Sequence, residues 1–321
     1  MSKPAVINAV QVPDEYLEPL HGVATVVQPD HSNVMTLAEL LAAIQSHEAV
    51  GAIIPGELKF AAAKLTDLPS LKVISNTAAG YNNLPLDELA EFGIWATNTP
   101  DAFVDATADA AFALILGLAR KTVLGDQFVR SGEWAEKGIV TQHWEGMELR
   151  GKTIGIVGFG AIGKAVARRA EAFGMTVIYH RRTSDNGNGY RSLPDLLAES
   201  DIVNLHTPLT PETHHLINSE SLAMMKRGAL LMNLARGLVV HEAAMVEALK
   251  SGQLGGAGLD VFEQEPEVHP DLVAMPNVLL TPHLGGATRE ARKLARLTAA
   301  ENVRRVIVGE RPLSPLNEPS I

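Results

Sequence analysis

Residues 153–163 read T-I-G-I-V-G-F-G-A-I-G. The run T-I-G-I-V fits a buried strand, and the apolar spacing over 162–173 fits a helix. Between them stand Gly158, Gly160 and Gly163. In a strand–turn–helix each has a task. The first permits the tight turn, the second lets the backbone approach a pyrophosphate, and the third lets helix and strand pack closely. The helix start at Ile162, with Ala161 just before it, offers free N–H groups and a positive dipole end to phosphates. The string alone is a weak signal, since three glycines could fall in an ordinary turn; its context makes it a dinucleotide fingerprint.

Moving downstream, V-I-Y-H ends at His180 and continues Arg181, Arg182, Thr183, Ser184. Proteins that prefer NAD place an Asp or Glu about 20 residues past the fingerprint, on the ribose hydroxyls. No carboxylate stands at this strand end. Two guanidiniums and two hydroxyls suit a 2′-phosphate through charge-assisted bonds, so NADPH is expected in preference to NADH. The plainer reading is a solvated basic turn.

The rest of the chain alternates in the same way. Apolar runs at 6–10, 22–27, 49–54, 71–76 and 94–96 predict strands, with helices at 37–44 and 86–92 between them. A long apolar helix is expected over 104–120, a second to Arg130, and an irregular arm over 131–150 with Trp134 and Trp144. After the glycine turn, I-V-N-L-H, A-L-L-M-N-L, G-A-G-L-D-V and V-L-L-T-P read as strands, 242–251 and 289–308 as helices. The alternation implies α/β architecture, two doubly wound units with parallel sheets covered on both faces.

Composition bounds the function. A chain of 321 residues with 46% hydrophobic and 20% charged residues is enough for two domains with real cores. The net charge of −10 argues against nucleic acid as a partner, which needs a basic surface. With no cysteine, disulfides, thiolate catalysis and Cys-ligated zinc are excluded. No His-based metal spacing is evident. Neither a secretory leader nor a membrane-length apolar run is expected, so a cytoplasmic location is the default expectation.

Three polar residues stand in distinctive phrases: Arg236 in L-M-N-L-A-R-G (231–237), Glu265 in G-L-D-V-F-E-Q-E-P (258–266) and His283 in T-P-H-L-G-G-A-T (281–288). With the fingerprint and H-T-P-L-T-P-E-T (206–213), these phrases resemble the D-isomer-specific 2-hydroxyacid dehydrogenases over nearly the whole chain. Within that family the chain is most similar to NADPH-dependent glyoxylate/hydroxypyruvate reductases. Read singly, Arg236 could be a surface arginine after a strand, Glu265 a loop acid and His283 a histidine approaching a helix.

The resemblance implies two Rossmann-like domains. One is a flavodoxin-like substrate-binding (catalytic) domain, residues 1–100 plus 289–321. The other is an NAD(P)-binding Rossmann domain, residues 101–288, with hinges near Thr99–Pro100 and Ala287–Thr288. It also implies a homodimer through residues 104–150. In hydride transfer to a 2-ketoacid, negative charge builds on the carbonyl oxygen. His283 would donate the proton, Glu265 would fix its tautomer and stabilise the imidazolium, and Arg236 would hold the carboxylate and carbonyl in a fork. Backbone N–H groups at Ala79 and Gly80 would complete the carboxylate site. Cofactor contacts are implied at Thr107, at the glycine turn, at His180 to Thr183, and at His206, Thr207, Pro208 and Thr213. They are implied also at Leu234, Ala235, Arg236, Asp260, His283 and Gly285. Asp260 matches the family's acceptor for the nicotinamide carboxamide; a buried structural acid is the alternative. His31, His47, His214 and His215 read as surface residues. Where the family often has D-N-x-D, this chain has Asn82, Asn83, Leu84, Pro85, a departure that bears on substrate preference. Other 2-ketoacids, such as phenylpyruvate or 2-ketogluconate, and a non-catalytic NAD(P)-sensing protein of the same fold are the competing readings. Glu265 argues against formate dehydrogenase, where glutamine is expected, and the missing regulatory domain argues against long phosphoglycerate dehydrogenases.

Overall fold

The computed structural model describes residues 3–60, 64–139, 141–184 and 187–319. The chain divides into two units: residues up to Phe103 with those from Thr288 onward, and Val104–Ala287.

The first unit is built on a parallel sheet, β1 (Ala5–Asn8), β2 (Thr25–Val27), β3 (Gly51–Ile54), β4 (Val73–Asn76) and β5 (Trp95–Thr97), in the order β2-β1-β3-β4-β5. That is the flavodoxin-like order. Side chains alternate between faces, as strand geometry requires. Ile7, Ile54 and Ile74 pack with α1 (Leu37–Ser46) and α2 (Leu86–Glu91) through Leu40, Ile44 and Leu89. Val6, Ile53 and Val73 pack on the other face with Ala299, Ala300 and Val303 of α11 (Arg289–Ile307). A complete capping box, Thr36 with Glu39, starts α1. The strand expected over 22–27 is shorter. Two 3-10 turns, Asp14–Tyr16 and Glu18–Leu20, precede it, and the N–H groups of Val23 and Ala24 return to the Leu20 carbonyl instead of pairing in the sheet.

The second unit holds β6 (Thr153–Val157), β7 (Thr176–His180), β8 (Ile202–Leu205), β9 (Ala229–Asn233), β10 (Leu254–Leu259) and β11 (Val278–Leu280), all parallel, in the order β11-β10-β9-β8-β6-β7. An isolated parallel bridge, Tyr179 to Tyr190, adds the stub of a further strand outside β7. Counted from β6 with that stub third, the order is 3-2-1-4-5-6-7, the 3-2-1-4-5-6 of a dinucleotide-binding Rossmann sheet with β11 added at its edge. One face is covered by α3 (Val104–Ala119) and α6 (Ala161–Ala172), with Ala108, Ala111, Phe112, Ile115, Ala165 and Val166 against Ile154, Ile156 and Met232. The other is covered by α7 (Leu193–Glu199), α8 (Ser219–Met224), α9 (Glu242–Lys250) and α10 (Pro270–Ala274). Strand β10 ends at Leu259, so Asp260 and Val261, expected within it, lie beyond its end. The arm expected to be irregular contains a short helix, α5 (Glu133–Lys137), after α4 (Thr122–Arg130), and a 3-10 turn, Thr141–Trp144. Among the described residues no helix is long and apolar enough to cross a membrane.

Candidate active site

The glycine turn closes β6 and opens α6. Gly158 takes φ 98°, and a Cβ there would lie 2.5 Å from the His206 carbonyl oxygen, at the end of the neighbouring strand β8. Strand order reverses between β6 and β8, where ligands of such sheets bind. A Cβ on Gly163 would come within 2.3 Å of the Gly158 carbonyl oxygen, so α6 can sit this close to the turn only with glycine. Gly160 differs, because apart from its own chain neighbours no atom of the described residues lies within 4 Å of where its Cβ would be. Gly160, the residue before α6, has no side chain to cap the helix, so among the described residues no cap occupies its first N–H groups. A cradle of bare backbone with a helix N-terminus behind it fits a pyrophosphate.

The Gly158 N–H donates to the His180 carbonyl at 2.9 Å, which sets the end of β7 beside the turn. Arg181, Arg182 and Thr183 follow there and are exposed. The His180 ring points elsewhere, with Nδ1 3.0 Å from the Arg191 carbonyl. The pKa of His206 is pushed down to about 4 by burial, so its imidazole is neutral, and among the described residues neither ring nitrogen has a protein partner. Thr213 is occupied locally, donating to the Pro208 carbonyl at 2.6 Å and accepting from the Thr210 N–H at 2.7 Å; it holds the loop that carries Thr207 and Pro208.

Arg236, Glu265 and His283 lie on three segments at the carboxyl ends of β9, β10 and β11. Nδ1 of His283 lies 2.9 Å from Oε2 of Glu265, whose Oε1 accepts the Phe262 N–H at 3.0 Å. The hydrogen bond to Glu265 raises the His283 pKa, against burial and the Arg236 charge. Burial raises Glu265, but bonds from His283 and the Phe262 N–H, with the charge of Arg236, hold it below the ordinary carboxylate value. Arg236 is half-buried; burial lowers its pKa and the Glu265 charge opposes this, and the guanidinium stays cationic. Its Nη1 donates to the Ala235 carbonyl at 2.6 Å. Leu234 and Ala235 are buried beneath it.

Asp260 is buried and fully engaged. Its Oδ1 accepts from Thr281 Oγ1 and the Leu284 N–H, each at 2.6 Å, and its Oδ2 from the Gly285 N–H at 2.8 Å, while its carbonyl accepts the His283 N–H at 2.9 Å. The acid thus hangs the whole His283 turn, in which His283 itself takes a left-handed φ of 53°. Thr107, buried on α3, flanks the same place: a Cβ on Gly285 would lie 3.5 Å from its methyl.

In the first unit, the loop after β4 turns its carbonyls inward. Asn98 Nδ2 donates to the Ala79 carbonyl at 2.7 Å and Asn76 Nδ2 to that of Gly80 at 2.8 Å. The N–H groups of Ala79 and Gly80 meet no protein acceptor among the described residues. Asn83, part of the departure from D-N-x-D, is structural: Oδ1 accepts from Asn76 at 3.1 Å and Nδ2 donates to the Leu58 carbonyl at 3.1 Å.

His31, His47 and His214 are exposed, but the surface reading of His215 is corrected. It is half-buried, with Nε2 3.0 Å from Glu263 Oε1 and its ring against those of His214 and His241. Nothing local in sequence marks this, because Glu263 comes from another strand's end. Among the described residues no acid–histidine group is arranged to hold a metal ion.

The model of the D-isomer specific 2-hydroxyacid dehydrogenase NAD binding domain matches residues 112–285. A glyoxylate reductase of Pyrococcus furiosus is 49% identical over 258 residues, 78% of this chain and 77% of that protein. Among solved structures, an NADPH-dependent glyoxylate/hydroxypyruvate reductase from Sinorhizobium meliloti, in complex with NADP and malonate, superposes with a TM-score of 0.86 at 32% identity, covering 99% of this chain and 98% of that one. A glyoxylate reductase from Paecilomyes thermophila gives 0.87 at 33% identity, covering 99% of each.

Proposed function

The chain belongs to the D-isomer-specific 2-hydroxyacid dehydrogenase family, and on that premise we propose that it reduces a small 2-ketoacid, glyoxylate or hydroxypyruvate, to the D-2-hydroxyacid with NADPH. The observation that carries this reading is the 2.9 Å bond between His283 Nδ1 and Glu265. It leaves Nε2 of a histidine with a raised pKa free to give up a proton.

The cofactor is held by the Gly158–Gly160–Gly163 turn and the start of α6, with Arg181, Arg182 and Thr183 on its 2′-phosphate. Thr107, His206 and the turn hung from Asp260 border its nicotinamide end. NADPH, when bound there, would supply the hydride that the carbonyl carbon receives. Arg236 binds the substrate carboxylate and its carbonyl oxygen, which fixes the carbonyl for attack and stabilises the charge growing on oxygen. His283 transfers its Nε2 proton to that oxygen, and the product is the alcohol. Glu265 keeps Nδ1 protonated throughout, so the proton always leaves from Nε2. In the first unit, the substrate domain, the free N–H groups of Ala79 and Gly80 suit a carboxylate. The exposed Val123, Val129, Trp134 and Ile139 support a homodimer through the α4–α5 region.

The test is turnover. The protein is mixed with NADPH or NADH and a panel of glyoxylate, hydroxypyruvate, phenylpyruvate and 2-ketogluconate, and absorbance at the nicotinamide band is followed. Oxidation of NADPH by glyoxylate or hydroxypyruvate is expected. Silence with every 2-ketoacid would leave a cofactor-sensing protein as the better reading.

A further inference from the structure

Two acids outside the reacting set join the segments that carry it. Glu242 opens α9, and its N–H donates to Glu263 Oε1 at 3.0 Å; the Glu263 N–H donates in return to Glu242 Oε1 at 2.8 Å. One partner ends the segment from β9 to α9, which contains Arg236. The other lies on the segment after β10, two residues before Glu265. The same segments meet backbone to backbone, since a Cβ on Gly237 would fall 1.8 Å from the Phe262 carbonyl oxygen. The Phe262 N–H then holds Glu265.

Two facing carboxylates repel unless a proton is shared or a cation stands by. Burial, with the charges of Glu263 and Glu265, pushes the Glu242 carboxyl up, against the Glu263 N–H and His269. His215 Nε2 lies 3.0 Å from Glu263 Oε1. Its ring packs on His214 and edge-on to His241, which itself accepts from the Ala244 N–H to cap α9. The His215 backbone stands at φ 50°, and its N–H donates to the Leu238 carbonyl at 2.8 Å, between Arg236 and Glu242. A left-handed non-glycine residue persists only where its surroundings hold it there. What the clasp requires of each side chain is an acceptor oxygen at that reach, which an amide would also supply and a methyl would not.

We infer that Glu242 and Glu263 are positioning residues: their reciprocal clasp, closed by His215, sets Arg236 relative to Glu265 and, through Glu265, orients His283. The inference rests on the proposed function for the part played by those three residues. Its test uses E242A, E242Q, E263A and E263Q in the full chain. Two quantities are read: kcat and KM for glyoxylate with NADPH, and the NMR titration of the His283 imidazole without cofactor, assigned with H283Q. Each alanine variant is expected to lose about tenfold or more in kcat/KM, the scale of a slight misplacement, with NADPH affinity unchanged. In each, the His283 titration should move down toward that of an ordinary imidazole. Each glutamine variant, which keeps an acceptor oxygen, should stay close to the parent. The clasp is overturned if His283 titrates in the alanine variants as in the parent, or if glutamine costs as much as alanine. Should E242A fail to fold by circular dichroism, E263A decides alone, because that side chain is partly exposed. Should the parent reduce no 2-ketoacid, the functional reading falls, while the His283 titration still decides the clasp.

Discussion

His283 meets Glu265 through Nδ1, at 2.9 Å, from a turn hung on Asp260 and the end of its strand. Glu265 holds the ring and, by its hydrogen bond, raises the ring's proton affinity most, with the Asp260 charge adding to the rise; Asp260 fixes the backbone that carries the ring.

The first consequence is a pH dependence. The Glu265 bond raises the His283 pKa above its ordinary 6.5. The donor form is therefore lost at a higher pH than for an ordinary imidazole, as pH rises through the raised value, so kcat/KM for reduction should fall along that limb. In Glu265→Gln the negative charge is gone and the ring pKa drops. The limb should move to lower pH, with about 10²-fold lower kcat/KM on the alkaline side of the parent's limb, the usual worth of a positioned acid. Rate profiles of parent and variant check this; limbs at the same pH in both would remove Glu265 from its role.

The glycine turn makes a second prediction, because its members fail for different reasons. Gly158→Ala must place a side chain at φ 98° into the His206 carbonyl, and Gly163→Ala must push α6 off the turn. Both should cost about 2–4 kcal/mol of stability, as backbone strain and overpacking do, and show a lowered Tm. Gly160→Ala meets no atom of the described residues beyond its own chain neighbours. Its Tm should match the parent, while NADPH binding, followed by fluorescence titration, weakens about tenfold or more because the methyl occupies the phosphate approach. Tight NADPH binding by Gly160→Ala would mean that the cradle holds something else.

A third prediction concerns Asp260. Asp260→Ala leaves the Leu284 and Gly285 N–H groups and the Thr281 hydroxyl without their acceptor. Unsatisfied buried donors cost about 1–3 kcal/mol each, so a large loss of Tm is expected together with loss of turnover. Asp260→Asn keeps one oxygen but turns an amide N–H toward a donor. It should fold, with lower stability and a lower kcat, because the His283 turn is displaced. A variant of parental Tm and kcat would show that the turn stands without Asp260.

The parts of the fold legible in the sequence are those with local signals. The strand T-I-G-I-V and its glycines announce β6, the turn and α6, because a tight turn and a close helix leave no alternative residue. Runs such as A-L-L-M-N-L mark central strands buried on both faces. Short helices escaped: α7, α8 and α10 are too brief for an apolar period to build. Their caps were the available sign, Ser192 accepting from the Asp195 N–H and Asn218 from that of Ser221. The turns at 14–20 carry no period at all. In the site, Arg236, Glu265 and His283 stand in distinctive phrases. The approach of His215 to Glu263, and the engagement of Asp260 by a later turn, join distant parts of the chain and have no linear signature.

The last prediction concerns the end of β7. Arg181 and Arg182 follow His180, whose carbonyl accepts the Gly158 N–H, so they stand next to the phosphate turn. Both are exposed, and Arg182 acts electrostatically on Glu212 of the loop after β8. A 2′-phosphate at this corner would gain charge-assisted bonds that NADH cannot make, each worth about 1.5–3 kcal/mol, or roughly 10–100-fold in affinity. Replacing both by serine should therefore raise the KM for NADPH by that factor and leave the KM for NADH nearly unchanged. Placing a carboxylate at Arg181 should go further, repelling the phosphate and offering an acceptor to the ribose hydroxyls. KM values for both cofactors, measured with glyoxylate at saturation, decide the matter. A parent enzyme that favours NADH, or a double serine variant with unaltered KM for NADPH, would show that this basic corner is merely solvated.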